Sequence, residues 1–278
     1  MPLTVFAAVL LGAALHATWN AIVKGGPDKL LATILVAAAS GFVALAVLPF
    51  LPLPARAAWP FIAASAVVQV LYFALVAGAY RATDMSQAYP LMRGLAPALV
   101  AVFGITFLGE HLAPLAWAGI ALISSGVFGM ALAFTRPGSR KGTAIAVANA
   151  GVIASYTLID GAGVRLSGAP IAYAMWLFLL NGIPLVAWAL LARRRALFAA
   201  ARRGWHLGLV GGIGNLGSYG LALWAMTQAP VAMVAALRET SILFGMAIAG
   251  LVLGERVGPT RFACAALIVA GAASLRLA

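Results

Sequence analysis

Long apolar stretches, each ended by a few turn residues and charges, run through the whole sequence. Residues 30–55, 57–80, 112–135, 166–192 and 204–237 contain no Lys, Arg, Asp or Glu. About 20 apolar residues carry a helix across the hydrocarbon core of a bilayer. The run 204–237 therefore suffices for most of two crossings, with a turn near Thr227-Gln228-Ala229-Pro230. The pattern predicts ten helices, over 3–23, 30–49, 59–79, 87–108, 114–134, 142–160, 170–192, 206–226, 231–253 and 260–277. Between them lies turn chemistry: Gly25-Gly26-Pro27-Asp28, Pro52-Leu53-Pro54, Arg136-Pro137-Gly138 and Gly258-Pro259. Pro170 opens the seventh helix, where a missing N–H costs nothing. The expected fold class is an all-α polytopic membrane protein.

Two charges interrupt this pattern from inside helices, and they match. Arg93 and Arg238 each lie fifteen residues before the same tripeptide, Leu108-Gly109-Glu110 and Leu253-Gly254-Glu255. A shift of 145 positions overlays both features and places Gly126 on Gly271; a shift of 137 places Ala17-Thr18-Trp19-Asn20 on Ala154-Ser155-Tyr156-Thr157. The basic stretch Arg193 to Arg203, read as a longer loop, accounts for the change of shift. The chain thus divides into repeats over 1–135 and 142–278, with five helices each. Because five is odd, the second repeat must enter the membrane from the opposite side. Inverted repeats of this kind place a site near the midplane between the halves.

Composition supports the membrane reading: 64% of the 278 residues are hydrophobic and 9% charged, against about 25% charged in soluble domains. The net charge of +12 does not point to nucleic acid. Apart from Arg93 and Arg238, the Lys and Arg residues sit in short loops. All but Arg56, Arg165 and Arg276 fall in the odd-numbered loops. That bias puts the odd loops in the cytoplasm and both termini outside. The first apolar segment runs to about Val23 and includes His16 and Asn20, too long for a cleaved signal. With one cysteine, Cys264, no intrachain disulfide forms.

Two local patterns carry a resemblance. One runs from Ala79-Tyr80-Arg81-Ala82 through Tyr89-Pro90-Leu91 and Pro97 to Leu108-Gly109-Glu110. The other runs from Leu223 through Pro230 and Arg238 to Leu253-Gly254-Glu255. With the ten-span plan, they make the chain resemble the drug/metabolite transporter superfamily, of the type with two EamA repeats. The resemblance covers nearly the whole chain. It implies a carrier of the bacterial cytoplasmic membrane with a central cavity, similar to exporters of amino acids, aromatic ones among them. His16-Ala17-Thr18-Trp19-Asn20 and Leu237-Arg238-Glu239-Thr240 also resemble a branch associated with phosphonate utilisation. The resemblance implies cytoplasmic termini, opposite to the charge bias.

The candidate substrate-binding residues are His16, Trp19, Asn20, Tyr72, Tyr89, Arg93, Tyr156, Asn215, Tyr219, Arg238 and Glu239. Arg93 and Arg238 lie about nine residues into their helices, about 13 Å deep, where a charge is costly and faces a cavity or a partner. Glu239 is about 100° around the helix from Arg238, so it is expected to pair with Arg93 across the repeat interface. Two readings stay open for these three: a structural ion-pair network, or a guanidinium fork for a substrate carboxylate or phosphonate. His16 and Asn20, one helical turn apart, flank Trp19; His16 suits a coupling proton or a hydrogen bond to a neighbouring helix. Tyr72 and Tyr219 lie deep enough for a cavity, whereas Tyr80 reads as an interfacial anchor. Asn181 and Asn215 should face protein or water. Gly109-Glu110 and Gly254-Glu255 read as helix ends, with each acid at the start of the next helix. Small residues at four-residue spacing, as around Gly119, are too frequent to mark an interface. No phosphate loop, metal cluster or catalytic constellation occurs, and neither Asp160 nor Glu239 has an evident partner acid for an intramembrane enzyme. The expected partners are a small-molecule substrate and membrane lipid. No nucleic acid, cofactor or metal is expected, and the chain is expected to act as a monomer.

Overall fold

The structure, a computed structural model, describes the backbone of residues 1–82, 85–132, 139–253 and 258–278. It describes the side chains there except those of 77, 80, 85–87, 89, 90, 131, 132, 252 and 253. The fold is all-helical: α1 (Leu3–Gly25), α2 (Lys29–Val47), α3 (Trp59–Ala82), α4 (Met85–Leu108), α5 (Pro114–Leu132), α6 (Arg140–Ser167), α7 (Pro170–Ala192), α8 (Arg194–Met226), α9 (Val231–Arg238), α10 (Ser241–Leu253) and α11 (Pro259–Leu277). Among the described residues, eight helical stretches are long and apolar enough to cross a membrane, counting α9 with α10 as one. The outer surface carries Phe42, Val67, Phe107, Leu191 and Leu251 largely exposed, as suits helices bathed in lipid.

Three predicted elements differ. The ninth span is broken: Thr240 N and Ile242 N bond to Leu237 O and Glu239 O, three residues back, and α9 stops at Arg238. The Thr240 hydroxyl also donates to Leu237 O at 2.7 Å, competing for the carbonyl that would continue the α-helical ladder. The basic stretch 193–203 is not a loop but the start of α8, which kinks at Gly204 (φ −133°, ψ 19°). Helix α6 runs two turns past 160, to a left-handed Gly168 with φ +63°. The proposed turn Arg136-Pro137-Gly138 lies outside the described residues.

The halves interlock. Helix α3 packs on α6 and α8 on α1; α2 packs on α7 and α5 on α11. Each of these pairings maps either onto itself or onto another of the four when the repeats are exchanged. The α5–α11 seam shows this at the atomic level. A Cβ on Gly119 would stand 2.9 Å from Gly271 O, and one on Gly271 would stand 2.7 Å from Gly119 O. Shifting by 145 turns this contact into the one between Cys264 and Gly126, where a Cβ would stand 2.8 Å from Cys264 O. The small residues around Gly119 therefore do mark an interface.

The turns also sort themselves. Arg193 meets Asp28 at 3.1 Å, joining the α1–α2 and α7–α8 turns. Ala55 N bonds to Ser167 O at 2.9 Å, joining the α2–α3 and α6–α7 turns. In the α4–α5 turn, Glu110 follows Gly109, which caps α4 with φ +63°. Its carboxylate is buried and does not serve α5. It accepts from Val231 N (2.7 Å) and Ala232 N (3.4 Å) at the start of α9 and from Arg165 Nη2 (2.7 Å). Arg165 in turn donates from Nε to Met226 O at 2.8 Å. One salt bridge thus caps the end of α8 and the start of α9, where the unpaired N–H groups favour an anion. The matching pair Gly254-Glu255 lies outside the described residues.

Candidate functional site

A cavity of about 160 Å³ lies between the halves, walled by helices α1 to α4 and α6 to α9. Helices α5 and α11 take no part in it and pack on each other instead. Eight of the predicted site residues border it: His16 and Trp19 from α1, Tyr72 from α3, Arg93 from α4, Tyr156 from α6, Asn215 and Tyr219 from α8, and Arg238 from α9.

Three predicted residues stand elsewhere. Asn20 donates its amide to His16 O at 2.8 Å within its own helix and is not part of the wall. Glu239 is buried behind the wall, 4% exposed, where its Oε2 accepts from Arg93 Nε at 2.9 Å. The side chain of Tyr89 lies outside the described residues.

The two arginines differ in setting. Arg93 reaches across from the first half to Glu239 of the second, the pairing expected from helical geometry. The break after Arg238 keeps the two neighbouring side chains apart, one toward α4 and one into the cavity. Arg238 instead lies over the face of Tyr219, with its guanidinium carbon 4.8 Å from the ring centroid, a cation–π contact. Among the described residues no acid forms an ion pair with Arg238. The fork of Arg238 is left to the cavity.

Aromatic rings build much of the remaining wall. His16 and Trp19 meet edge to face at 5.2 Å, Tyr72 and Tyr156 at 5.9 Å, and Phe178 and Tyr219 at 6.3 Å. Trp19 and Tyr156 occupy equivalent places in the two repeats, so the duplication supplies one large ring from each half. Polar groups are few. The indole N–H of Trp19 and the Oδ1 of Asn181 are buried without a hydrogen-bond partner among the described residues. Asn215 leans on Ser40 of α2 at 3.4 Å.

Gln69, a wall residue, was not among the expected site residues, and Asp160 was expected only as a possible enzyme acid. Gln69 and Asn181 were detectable as polar positions inside uncharged runs. Asp160 is the single acid inside α6 and is fully buried. Tyr173 donates to it at 3.0 Å, and Tyr219 donates to its other oxygen. Among the described residues no cluster of metal-ligating side chains occurs. The site has the character of a binding chamber.

Comparison with known proteins agrees with this picture. A solved structure described as "Crystal structure of protein" superposes with a TM-score of 0.76 at 21% identity, over 98% of this chain and 95% of its own, so the two share a fold. No curated protein matches. The model of the EamA-like transporter family matches twice, over residues 3–132 and 140–277. Both halves of this multi-pass membrane protein therefore carry the same domain, and the chain belongs to the EamA-like transporter family.

Proposed function

We propose that the chain is a secondary transporter of the bacterial cytoplasmic membrane, most readily an exporter of amino acids. In this reading it has ten spans in two inverted five-helix repeats, with α9 and α10 forming one interrupted span and the C-terminal part of α8 another. The sorting of turns supports the alternation. The α1–α2 and α7–α8 turns meet on one face, and the even-numbered turns meet around Ser167 and Glu110 on the other. The halves rock about the central cavity and expose it to each side in turn.

The observation that carries the substrate class is Arg238. A guanidinium at the centre of a lipid-embedded bundle is costly, and this one has a tyrosine face beneath it and, among the described residues, no acid paired with it. A planar carboxylate or phosphonate matches its donor fork. The rings of Trp19, Tyr72, Tyr156 and Tyr219 then suit an apolar or aromatic body. Because carboxylate and phosphonate make the same fork contact, carriage of phosphonates or other organic anions is the second reading.

The test is counterflow with purified protein in liposomes. Unlabelled amino acid trapped inside should accelerate entry of the labelled one. That acceleration separates a carrier from a pore. Labelled 2-aminoethylphosphonate run in parallel assigns the substrate class. Flux for the phosphonate alone would replace the first reading by the second, and flux for neither would remove both.

A further inference from the structure

The start of α8 stands apart from the span that follows it. Gly204, with its non-helical φ and ψ, divides residues 194–203 from the apolar stretch behind them. Leu197 is buried in a cluster with Ile34 of α2 and Ala189 of α7, which ties this short helix to the ends of two spans. The segment 193–203 carries Arg193, Arg194, Arg195, Arg202 and Arg203 and no acid. Among the described residues only Arg193 of these forms an ion pair, with Asp28. Phe198 and Trp205 stand exposed beside the arginines, and the Arg194 guanidinium carbon lies 6.0 Å from the Phe198 ring centroid. Exposed rings among basic side chains suit a helix lying at the level of lipid headgroups.

A second cleft, of about 410 Å³, lies between this helix and the α1–α2 turn. Its walls are apolar: Ile22, Leu31, Leu35, Leu207 and the small side chains of Ala199 and Ala200. Arg203 follows these alanines at helical spacing, so one face of the helix turns all three toward the cleft. The alanines leave the gap against Leu31 and Leu35 unfilled. The charged residues of the lining are Asp28 and Arg203, and Asp28 is already engaged by Arg193. Arg202 is exposed next to Arg203, and Lys24 and Lys29 flank the turn opposite. Wall atoms facing an empty gap forfeit dispersion contacts, so an apolar gap at the lipid boundary favours a hydrocarbon chain.

We propose that this cleft binds an anionic phospholipid. One acyl chain lies against Leu31, Leu35 and Leu207, and Arg202 and Arg203 hold the phosphate at the mouth with their donor forks. The site selects on two counts. A zwitterionic headgroup would bring an ammonium among arginines and lysines, which repel it. A soluble phosphate has no chain for the apolar walls. Basic residues that only orient a helix in the membrane need neither a cleft nor a face of alanines turned to it. Val36 borders both this cleft and the central cavity, so the lipid packs on the helix that walls the chamber. The inference goes beyond the transport reading and does not depend on what is carried.

The test follows thermal unfolding of the purified full-length chain in a neutral detergent, with three additives: dioleoylphosphatidylglycerol, dioleoylphosphatidylcholine and inorganic phosphate. The two lipids share their chains and differ in headgroup charge. Phosphatidylglycerol should raise the melting temperature saturably, by mass action on the folded state. Phosphatidylcholine and phosphate should leave it close to that in detergent alone. The double variant Arg202→Gln with Arg203→Gln should weaken the phosphatidylglycerol response about tenfold or more in half-saturating concentration. Ala199→Trp fills the cleft without changing charge and should weaken it as well; either variant carries the test if the other does not fold. Arg140→Gln with Lys141→Gln removes two exposed charges at the start of α6, outside the cleft lining, and should leave the response intact. An equal loss in that control means bulk charge and overturns the proposal. So does a response to phosphate alone, an equal response to both lipids, no response to phosphatidylglycerol, or one that survives the cleft variants. Counterflow in liposomes judges the transport reading separately from all of these.

Discussion

Truncating Arg93 strands the buried carboxylate of Glu239, whereas truncating Arg238 strands no acid among the described residues. The two matched arginines should therefore separate in experiment. Arg93→Ala is expected to lower stability by about 3–5 kcal/mol, the usual cost of breaking a buried pair from one side. Arg238→Ala should change stability by about 1 kcal/mol or less while abolishing flux. Thermal unfolding of the purified variants, set beside liposome uptake, checks both. Equal losses of stability would contradict the assignment. The charge-swapped pair Arg93→Glu with Glu239→Arg should recover the melting temperature. Recovery of flux with it leaves the substrate anion to Arg238 alone. The sequence already held this much: matched charges in duplicated segments, and an acid on the wrong side of its helix to serve its neighbour. It did not hold the hydrogen bonds by which Tyr173 and Tyr219 meet Asp160. Those join three helices that no periodicity relates.

Helices here end and begin through contacts made by remote residues. Glu110 supplies the N-terminal cap of α9, more than a hundred residues away in sequence, because Pro230 before α9 has no side-chain donor or acceptor of its own. Glu110→Ala leaves Arg165 and two N–H groups without their anion. It should cost about 2–3 kcal/mol, measurable as a lowered midpoint in a denaturant titration. At the α5–α11 seam the controlling quantity is space. Gly271→Val forces a Cβ to within 2.7 Å of a backbone oxygen and should cost about 1–3 kcal/mol or more. Gly151→Ala in α6 meets nothing within 4 Å. It should be neutral or stabilising by about 0.5–1 kcal/mol. The eight long apolar helical stretches among the described residues were readable because hydrophobic length alone defines a candidate crossing. The break at Glu239-Thr240 was not, because the apolar runs on both sides of Arg238-Glu239-Thr240-Ser241 together have the length of one span. Nor was the helical start of α8: its Arg residues suggested a loop, although its alanines favour a helix.

At the scale of the molecule, duplication explains why each half contributes one arginine and one of the equivalent rings of Trp19 and Tyr156 to a shared chamber. The same duplication makes the outer helices close-packed where the inner ones stand apart. The charge bias of the loops gives an orientation that labelling can test. On a Cys264→Ser background, Ala196→Cys in the basic start of α8 should react with an impermeant maleimide only from the cytoplasmic face of sealed vesicles. Ala55→Cys should react only from the outside. The reverse labelling would invert the orientation drawn from the charge bias. The repeat shift of 145 proved informative beyond the sequence, since it converts one seam contact into the other. Cys264 sits at that second contact, with its sulfur facing Gly129 at a spacing that would leave 2.7 Å to an added Cβ. The protein therefore carries a built-in reporter. Its lone thiol stays shielded while the two outer helices hold together, and a fluorogenic thiol dye would light up only when they part.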